Sequence, residues 1–171
     1  MYPIIRRRGY LSPKKGPVIS LVGDLEIIFE ILDKDNKKTL VRYDMLEENV
    51  DVLELYHQAC EKLVKEVEFV VANTLFGGFA ILADKAHESS SLCFQSIWTT
   101  CADKLEDDLL IMVPTTDIVI FAPKAQEEVV EKMIIQGKSN YLEASNKVSP
   151  AVFIFTREEK ELKSYEPETA N

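Results

Sequence analysis

A histidine, a glutamate and three consecutive serines lie together at residues 87–91. Histidine can act as a general base, serine as a nucleophile, and a nearby carboxylate can orient the histidine. Here His87 would act on one of the serines, with Asp117 or Glu88 as the orienting acid. A helix is also predicted to begin at these serines, and a serine hydroxyl commonly caps a first turn. Because no Gly-x-Ser-x-Gly sequence occurs, capping is the favoured interpretation and no catalytic residue is assigned.

The residues most suited to binding a ligand are Glu88 and Asp117, with His87 and Ser90 beside the glutamate. Asp117 lies between two apolar runs, at a point where a carboxylate can project from the end of a sheet. The same carboxylate could instead form a hydrogen bond with its own turn. We expect these four residues to form the ligand-binding site if the chain has one.

The soft metal ligands of the chain are its three cysteines and two histidines, namely Cys60, Cys93, Cys101, His57 and His87. A structural zinc ion needs four converging ligands, and no Cys-x-x-Cys pair occurs. The cysteines lie on apolar stripes, where cysteine usually acts as a small hydrophobic residue. Gly77-Gly78 lacks the further glycines of a phosphate-binding loop. We therefore expect neither a metal nor a cofactor.

Charge constrains the partners. The chain has 29 acidic and 20 basic residues, a formal net charge of −9, which disfavours nucleic acid and favours basic partners. The basic residues are unevenly placed, because Arg6, Arg7, Arg8, Lys14 and Lys15 fall in the first 16 residues with no acid among them. We expect a basic N-terminal arm, solvated or in contact with the acidic body.

Composition indicates a chain that folds around a core. Of the 171 residues, 46% are hydrophobic and 29% are charged, which excludes intrinsic disorder. The longest apolar runs have about five residues, against the ~20 that a membrane-spanning helix needs, so no membrane span is expected. The odd number of cysteines favours a reducing cytoplasm.

Hydrophobic periodicity predicts hairpins that alternate with helices. Strands are predicted at 18–32, with a break near Gly23-Asp24, and at 39–43, 69–72, 79–82, 109–113, 118–122, 151–155 and 161–165. Helices are predicted at 49–66, 89–105 and 125–136. Asn49 is expected to cap the first helix and Gly137 to end the third, with a polar loop over 138–149.

This order favours an α+β fold. Strands joined by short turns pair antiparallel, so we expect a mostly antiparallel sheet built from β-hairpins, with three helices packed on one face. The expected organisation is a basic arm at 1–16, a single α+β domain at 17–166 and a C-terminal tail at 167–171.

Several segments, read in order, resemble the YtpQ-like family of bacterial proteins, a domain of unknown function, with this chain as a divergent or shortened member. The segments are Tyr2-Pro-Ile-Ile-Arg6, Val22-Gly-Asp-Leu-Glu-Ile-Ile-Phe-Glu-Ile-Leu-Asp33, Tyr56-His-Gln-Ala59, Glu88-Ser-Ser-Ser-Leu92, Ile97-Trp98 and Val113-Pro-Thr-Thr-Asp117-Ile-Val-Ile-Phe-Ala122. They span about two-thirds of the chain, and none is a catalytic signature. The resemblance implies an uncharacterised cytoplasmic α+β protein.

These observations favour a non-enzymatic protein that binds another protein or a small ligand. The alternative is a small hydrolase with a site around His87, Glu88 and Asp117. Self-association as a homodimer, through an exposed sheet edge or apolar face, is a third possibility.

Overall fold

A computed structural model describes residues 1–166, and the expected tail at 167–171 lies outside the described residues. The chain divides into two compact units, Met1–Glu68 and a second that begins at Phe69. This differs from the single domain expected at 17–166. The first strand pairs with the third, so the N-terminal segment belongs to the first unit instead of forming a separate arm.

The first unit contains a four-stranded antiparallel sheet. Its strands are β1 (Tyr2–Arg7), β2 (Ile19–Val22), β3 (Leu25–Leu32) and β4 (Lys38–Leu40). β1 pairs along one side of β3, whereas β2 and β4 pair with its two ends on the other side. The predicted break at Gly23-Asp24 is confirmed, since Gly23 has φ 53° between β2 and β3.

The basic cluster is held in this sheet. Each of the three consecutive arginines faces one carboxylate of β3 or of the turn before it. The N–O distances are 3.9 Å for Arg6–Glu30, 3.6 Å for Arg7–Asp24 and 3.5 Å for Arg8–Glu26. The contact of the arginines with the acidic body is therefore confirmed, but they lie at the end of a strand and not in a solvated arm.

α1 (Val52–Glu66) follows a short 3₁₀ helix in the first unit. The expected cap at Asn49 is wrong, because Asp51 accepts hydrogen bonds from the N–H groups of Leu53 (3.0 Å) and Glu54 (3.3 Å). The helix packs on β1, and the Tyr2 hydroxyl donates to the Glu66 carboxylate at its end.

The second unit contains a six-stranded sheet in which every pair is antiparallel. In spatial order its strands are β10 (Glu161–Tyr165), β9 (Val152–Thr156), β7 (Leu109–Thr115), β8 (Ile118–Pro123), β6 (Phe79–Leu82) and β5 (Val70–Asn73). The predicted hairpins and the α+β class are confirmed. Within the described residues, no helix combines the length and apolar character that crossing a membrane requires.

Helices cover both faces of this sheet, so the expectation of helices on one face is wrong. On one face, Met112 of β7 packs in a cluster with Met133 of α3 (Glu127–Glu143). On the other face, the ring of Phe121 in β8 meets the edge of Trp98 in α2 (Gln95–Leu105), with centroids 5.2 Å apart. Because β7 and β8 are apolar at successive residues, both of their faces need a covering layer.

Gly137 does not end the third helix. α3 continues to Glu143, and Gly137 is buried inside it against the sheet. A Cβ at this position would lie 2.5 Å from the Sδ of Met112, so a larger residue would require the end of the Met112 side chain to move. Residues 138–143 are therefore helical, where a polar loop was expected.

Candidate functional site

The four candidate residues lie where two segments of the second unit meet. His87, Glu88 and Ser90 belong to the start of a 3₁₀ helix, Glu88–Cys93, and Asp117 lies in the turn between β7 and β8. The Ser89 N–H donates to the Thr116 carbonyl at 3.0 Å. The fold therefore brings the serine segment and the β7–β8 turn together, as a shared site would require.

The Glu88 carboxylate holds the turn before its own helix. Glu88 is 3% exposed, and its Oε2 accepts hydrogen bonds from the N–H groups of Ala83 (3.1 Å) and Lys85 (2.9 Å). Lys85 has φ 67°, a left-handed conformation that this carboxylate helps to stabilise. Oε1 is buried without a hydrogen-bond partner in the structure. Glu88 therefore organises the backbone between β6 and the 3₁₀ helix.

The acid that orients His87 is Asp84. The Asp84 Oδ2 lies 2.6 Å from the imidazole Nδ1, and its Oδ1 accepts from the N–H groups of Ala86 (3.0 Å) and His87 (2.8 Å). Burial of Asp84 acts to raise its pKa, but the hydrogen bonds from the His87 ring and from the two N–H groups outweigh burial, so the pKa of Asp84 is lowered. At Nδ1 the orienting role is therefore held by Asp84, a residue that the sequence analysis did not assign to it.

The three serines are completely buried. The Trp98 indole N–H donates to the Ser91 carbonyl at 3.0 Å, which fixes the serine segment against the core. The expected serine cap is wrong, because the 3₁₀ helix begins after His87 and α2 begins after Phe94, and neither of these side chains caps its helix. A nucleophile must be reached by its substrate, so the burial indicates a structural role for the serines.

Asp117 fastens the β7–β8 turn to the segment that follows α3. Its Oδ1 accepts from the Thr115 hydroxyl (2.7 Å) and from the Asn146 side-chain amide (2.9 Å). The Asn146 amide also donates to the Thr116 hydroxyl at 2.9 Å, and the Asn146 carbonyl accepts from the Thr116 N–H at 3.3 Å. Asp117 therefore binds its own turn and Asn146, whereas Glu88 binds a different turn.

Sequence reasoning missed Asp84 and Asn146. Asp84 could have been found, since an aspartate three residues before a histidine can cap the turn that contains it. Asn146 is 29 residues from Asp117, and no local pattern indicates such a contact.

Within residues 1–166, no three His, Cys, Asp or Glu side chains are grouped so that they could hold a metal ion. None of the three cysteines is part of a disulfide, and Cys101 is buried whereas the other two are partly buried. Burial raises the pKa of Cys101, and the nearby Lys104 opposes that effect.

No family model, no curated protein and no solved structure matches the chain.

Proposed function

We propose that this chain is a non-enzymatic protein of the YtpQ-like family that works by binding another protein or a small ligand. The observation that carries the proposal is the use of the candidate residues in the fold. Glu88 and Asp117 hold backbone turns, His87 is bound to Asp84, and the serines have no exposed surface. Side chains that are buried or engaged in hydrogen bonds of the fold in this way support a structural role for these residues over a catalytic one.

The charge of the chain indicates which partners suit it. A net charge of −9 attracts basic proteins or cationic ligands and repels nucleic acid. Cys60, Cys93 and Cys101 form no disulfide, which supports a reducing location, for which we propose the cytoplasm.

Hydrolysis of an activated ester tests the absence of catalysis. The rate with p-nitrophenyl acetate is measured for the wild-type chain, for His87→Asn and for the matched control His57→Asn, which removes the other imidazole. We expect His87→Asn to lose no more activity than His57→Asn, because an exposed imidazole cleaves this ester slowly and His57 is more exposed than His87. Turnover that saturates with substrate and disappears only in His87→Asn would overturn the proposal.

Binding of peptides of defined charge tests the choice of partner. A labelled lysine-rich peptide and a glutamate-rich peptide of equal length are titrated with the protein, and anisotropy is measured. We expect binding of the lysine-rich peptide alone, lost at about 1 M salt, where the Debye length is about 3 Å. Equal binding of the two peptides, or no binding of either, would contradict an electrostatically selected partner.

A small hydrolase is the second candidate, favoured by the Asp84–His87 contact of 2.6 Å. A carboxylate bound to Nδ1 fixes the tautomer of an imidazole, as it does in catalytic triads. The buried serines count against this candidate. A fluorophosphonate probe distinguishes the two functions, since labelling of Ser89, Ser90 or Ser91 in the folded chain would favour the hydrolase.

A further inference from the structure

The hairpin formed by β5 and β6 lies in the longest uncharged segment of the chain. Residues 69–83 contain no Asp, Glu, Lys or Arg, although 29% of the whole chain is charged. β5 is an outer strand of the six-stranded sheet, so one side of it is not paired with another strand of that sheet. The acidic surface is therefore interrupted at a sheet edge.

The surface of this hairpin is apolar. Its exposed side chains and their exposed fractions are Val70 (47%), Val71 (44%), Leu75 (109%) and Leu82 (51%). Val71 also lines an apolar cavity of about 210 Å³ between the sheet and α2, together with Phe79, Leu105 and Phe121. Exposed apolar side chains beside an unpaired strand edge are typical of an interaction surface.

The outer side of β5 has backbone N–H and C=O groups that point away from β6. The Thr74 N–H donates to the Gly78 carbonyl at 3.0 Å, which fixes the alternation of hydrogen bonds in the hairpin. By that alternation, the N–H and C=O groups of Val71 and Asn73 point away from β6. Val71 and Asn73 lie symmetrically on either side of Ala72. A twofold axis at Ala72 would therefore place Val71 of one strand opposite Asn73 of an identical antiparallel strand.

The opposite edge of the same sheet differs. β10 carries Glu161 and Lys163, and the Lys163 ammonium contacts both Glu159 and Glu161. Charged side chains on an edge strand, lysine above all, discourage pairing with another chain. β5 has no charged residue, so only the β10 edge of this sheet carries charges that discourage pairing.

We propose that β5 pairs antiparallel with β5 of a second copy of this chain, about a twofold axis at Ala72. Each Val71 exchanges two N–H···O hydrogen bonds with Asn73 of the other copy, which gives four bonds at the centre of a continuous twelve-stranded sheet. A second copy fits this edge better than a basic partner does, because the uncharged segment at residues 69–83 has no charge that would attract a basic partner. Because this segment is uncharged, two chains of net charge −9 can meet along it without bringing like charges into contact.

The mass of the protein in solution tests the pairing. Sedimentation equilibrium of the wild-type chain is expected to show a mass that rises with concentration from 19.5 kDa toward twice that value. Val71→Lys is expected to raise the dimer dissociation constant at least about tenfold, since it adds charge and removes apolar contact at the axis. The matched control Ser164→Lys makes the same change in charge on β10 and is expected to leave the dissociation constant unchanged. A monomer at every concentration, or a dimer weakened equally by both variants, would overturn the proposal.

Hydrogen exchange of the wild-type chain gives a second measurement, with Val71→Pro as a further check. The amides of Val71 and Asn73 are expected to exchange more slowly as protein concentration rises, while the Ala72 amide, which points toward β6, stays equally protected. Val71→Pro removes one outward N–H from an edge strand, where proline is tolerated, and is expected to abolish the concentration dependence. Protection of Val71 and Asn73 that does not change with concentration would contradict pairing between copies.

Discussion

His87 and Asp84 are joined through both the side chain and the backbone. The Asp84 Oδ2 lies 2.6 Å from the His87 Nδ1, and the Asp84 Oδ1 accepts from the His87 N–H at 2.8 Å. The Asp84 carboxylate thus fixes both the backbone turn at His87 and the orientation of the His87 ring. Because the same bonds would be made by a histidine with no chemical role, the contact alone does not define a catalytic site.

Replacing Asp84 with alanine is expected to lower the free energy of unfolding by about 1 kcal/mol at neutral pH, the usual cost of losing a capping side chain. Trp98 is the only tryptophan and is buried in the second unit, so its fluorescence in urea reports on that unit. The control is Asp103→Ala, which removes an exposed partner of Arg157 and is expected to cost less than about 0.5 kcal/mol.

The effect of Asp84 is expected to depend on pH. Its pKa is lowered by folding from an ordinary value of 3.8, so the carboxylate stabilises the fold above that value. The stabilisation is lost as the pH falls through the lowered pKa. The difference in unfolding free energy between wild type and Asp84→Ala should therefore be present at neutral pH and shrink below about pH 4. A difference that grows on acidification would contradict this assignment.

Glu88→Ala is expected to cost about 2 kcal/mol, because the N–H groups of Ala83 and Lys85, which donate to Glu88 in partly buried hydrogen bonds, lose their acceptor. Glu88→Gln keeps one carbonyl oxygen for these two donors and is expected to cost about 1 kcal/mol. The same urea titration measures both variants. Equal stability of Glu88→Ala and wild type would show that Glu88 does not organise the turn.

Asp117 and Asn146 are expected to be coupled. In a double-mutant cycle, Asp117→Ala and Asn146→Ala should show an interaction energy of about 1 kcal/mol, because either substitution removes the same hydrogen bond. A cycle of Asp117→Ala with Asp103→Ala serves as the control, since Asp103 contacts Arg157 instead, and should be additive within about 0.5 kcal/mol. Additivity in both cycles would contradict a stabilising hydrogen bond between Asp117 and Asn146.

Cys101 is expected to react slowly with thiol reagents. Burial raises its pKa above the ordinary 9.0, against the opposing effect of Lys104, so little thiolate is present at pH 8. A chain with Cys60→Ser and Cys93→Ser should react with a disulfide reagent about tenfold more slowly than a chain that retains only Cys93. Equal rates in the folded state would be inconsistent with burial of this thiol, whereas equal rates in denaturant are expected.

The elements that sequence alone predicts are those whose signal is local. The apolar runs at 109–113 and 118–122 give β7 and β8, and Gly77, with φ 94°, marks the turn between β5 and β6. Each of these signals lies within a few residues of the element that it predicts. Their antiparallel pairing follows from the short connections.

The features that sequence did not predict depend on residues far apart in the chain. The arginines at residues 6–8 have no acid nearby in sequence, so the sequence leaves both a solvated arm and contact with the acidic body open, whereas their partners Glu26 and Glu30 lie on β3. The local sequence around Gly137 predicts a helix end, because its neighbour Met112 is 25 positions away. Asn146 could not be assigned to Asp117 for the same reason.

The division after Glu68 gives the chain a direction of assembly. All strands and the helix of the first unit come from consecutive residues, so this unit is complete in sequence once residue 68 has left the ribosome. The sheet of the second unit can be completed only later in synthesis, because its inner strand β7 pairs with β9, whose last residue is Thr156. N-terminal units generally fold first during synthesis. We therefore expect nascent chains arrested before β9 to resist proteolysis up to residue 68 and to be cleaved beyond it.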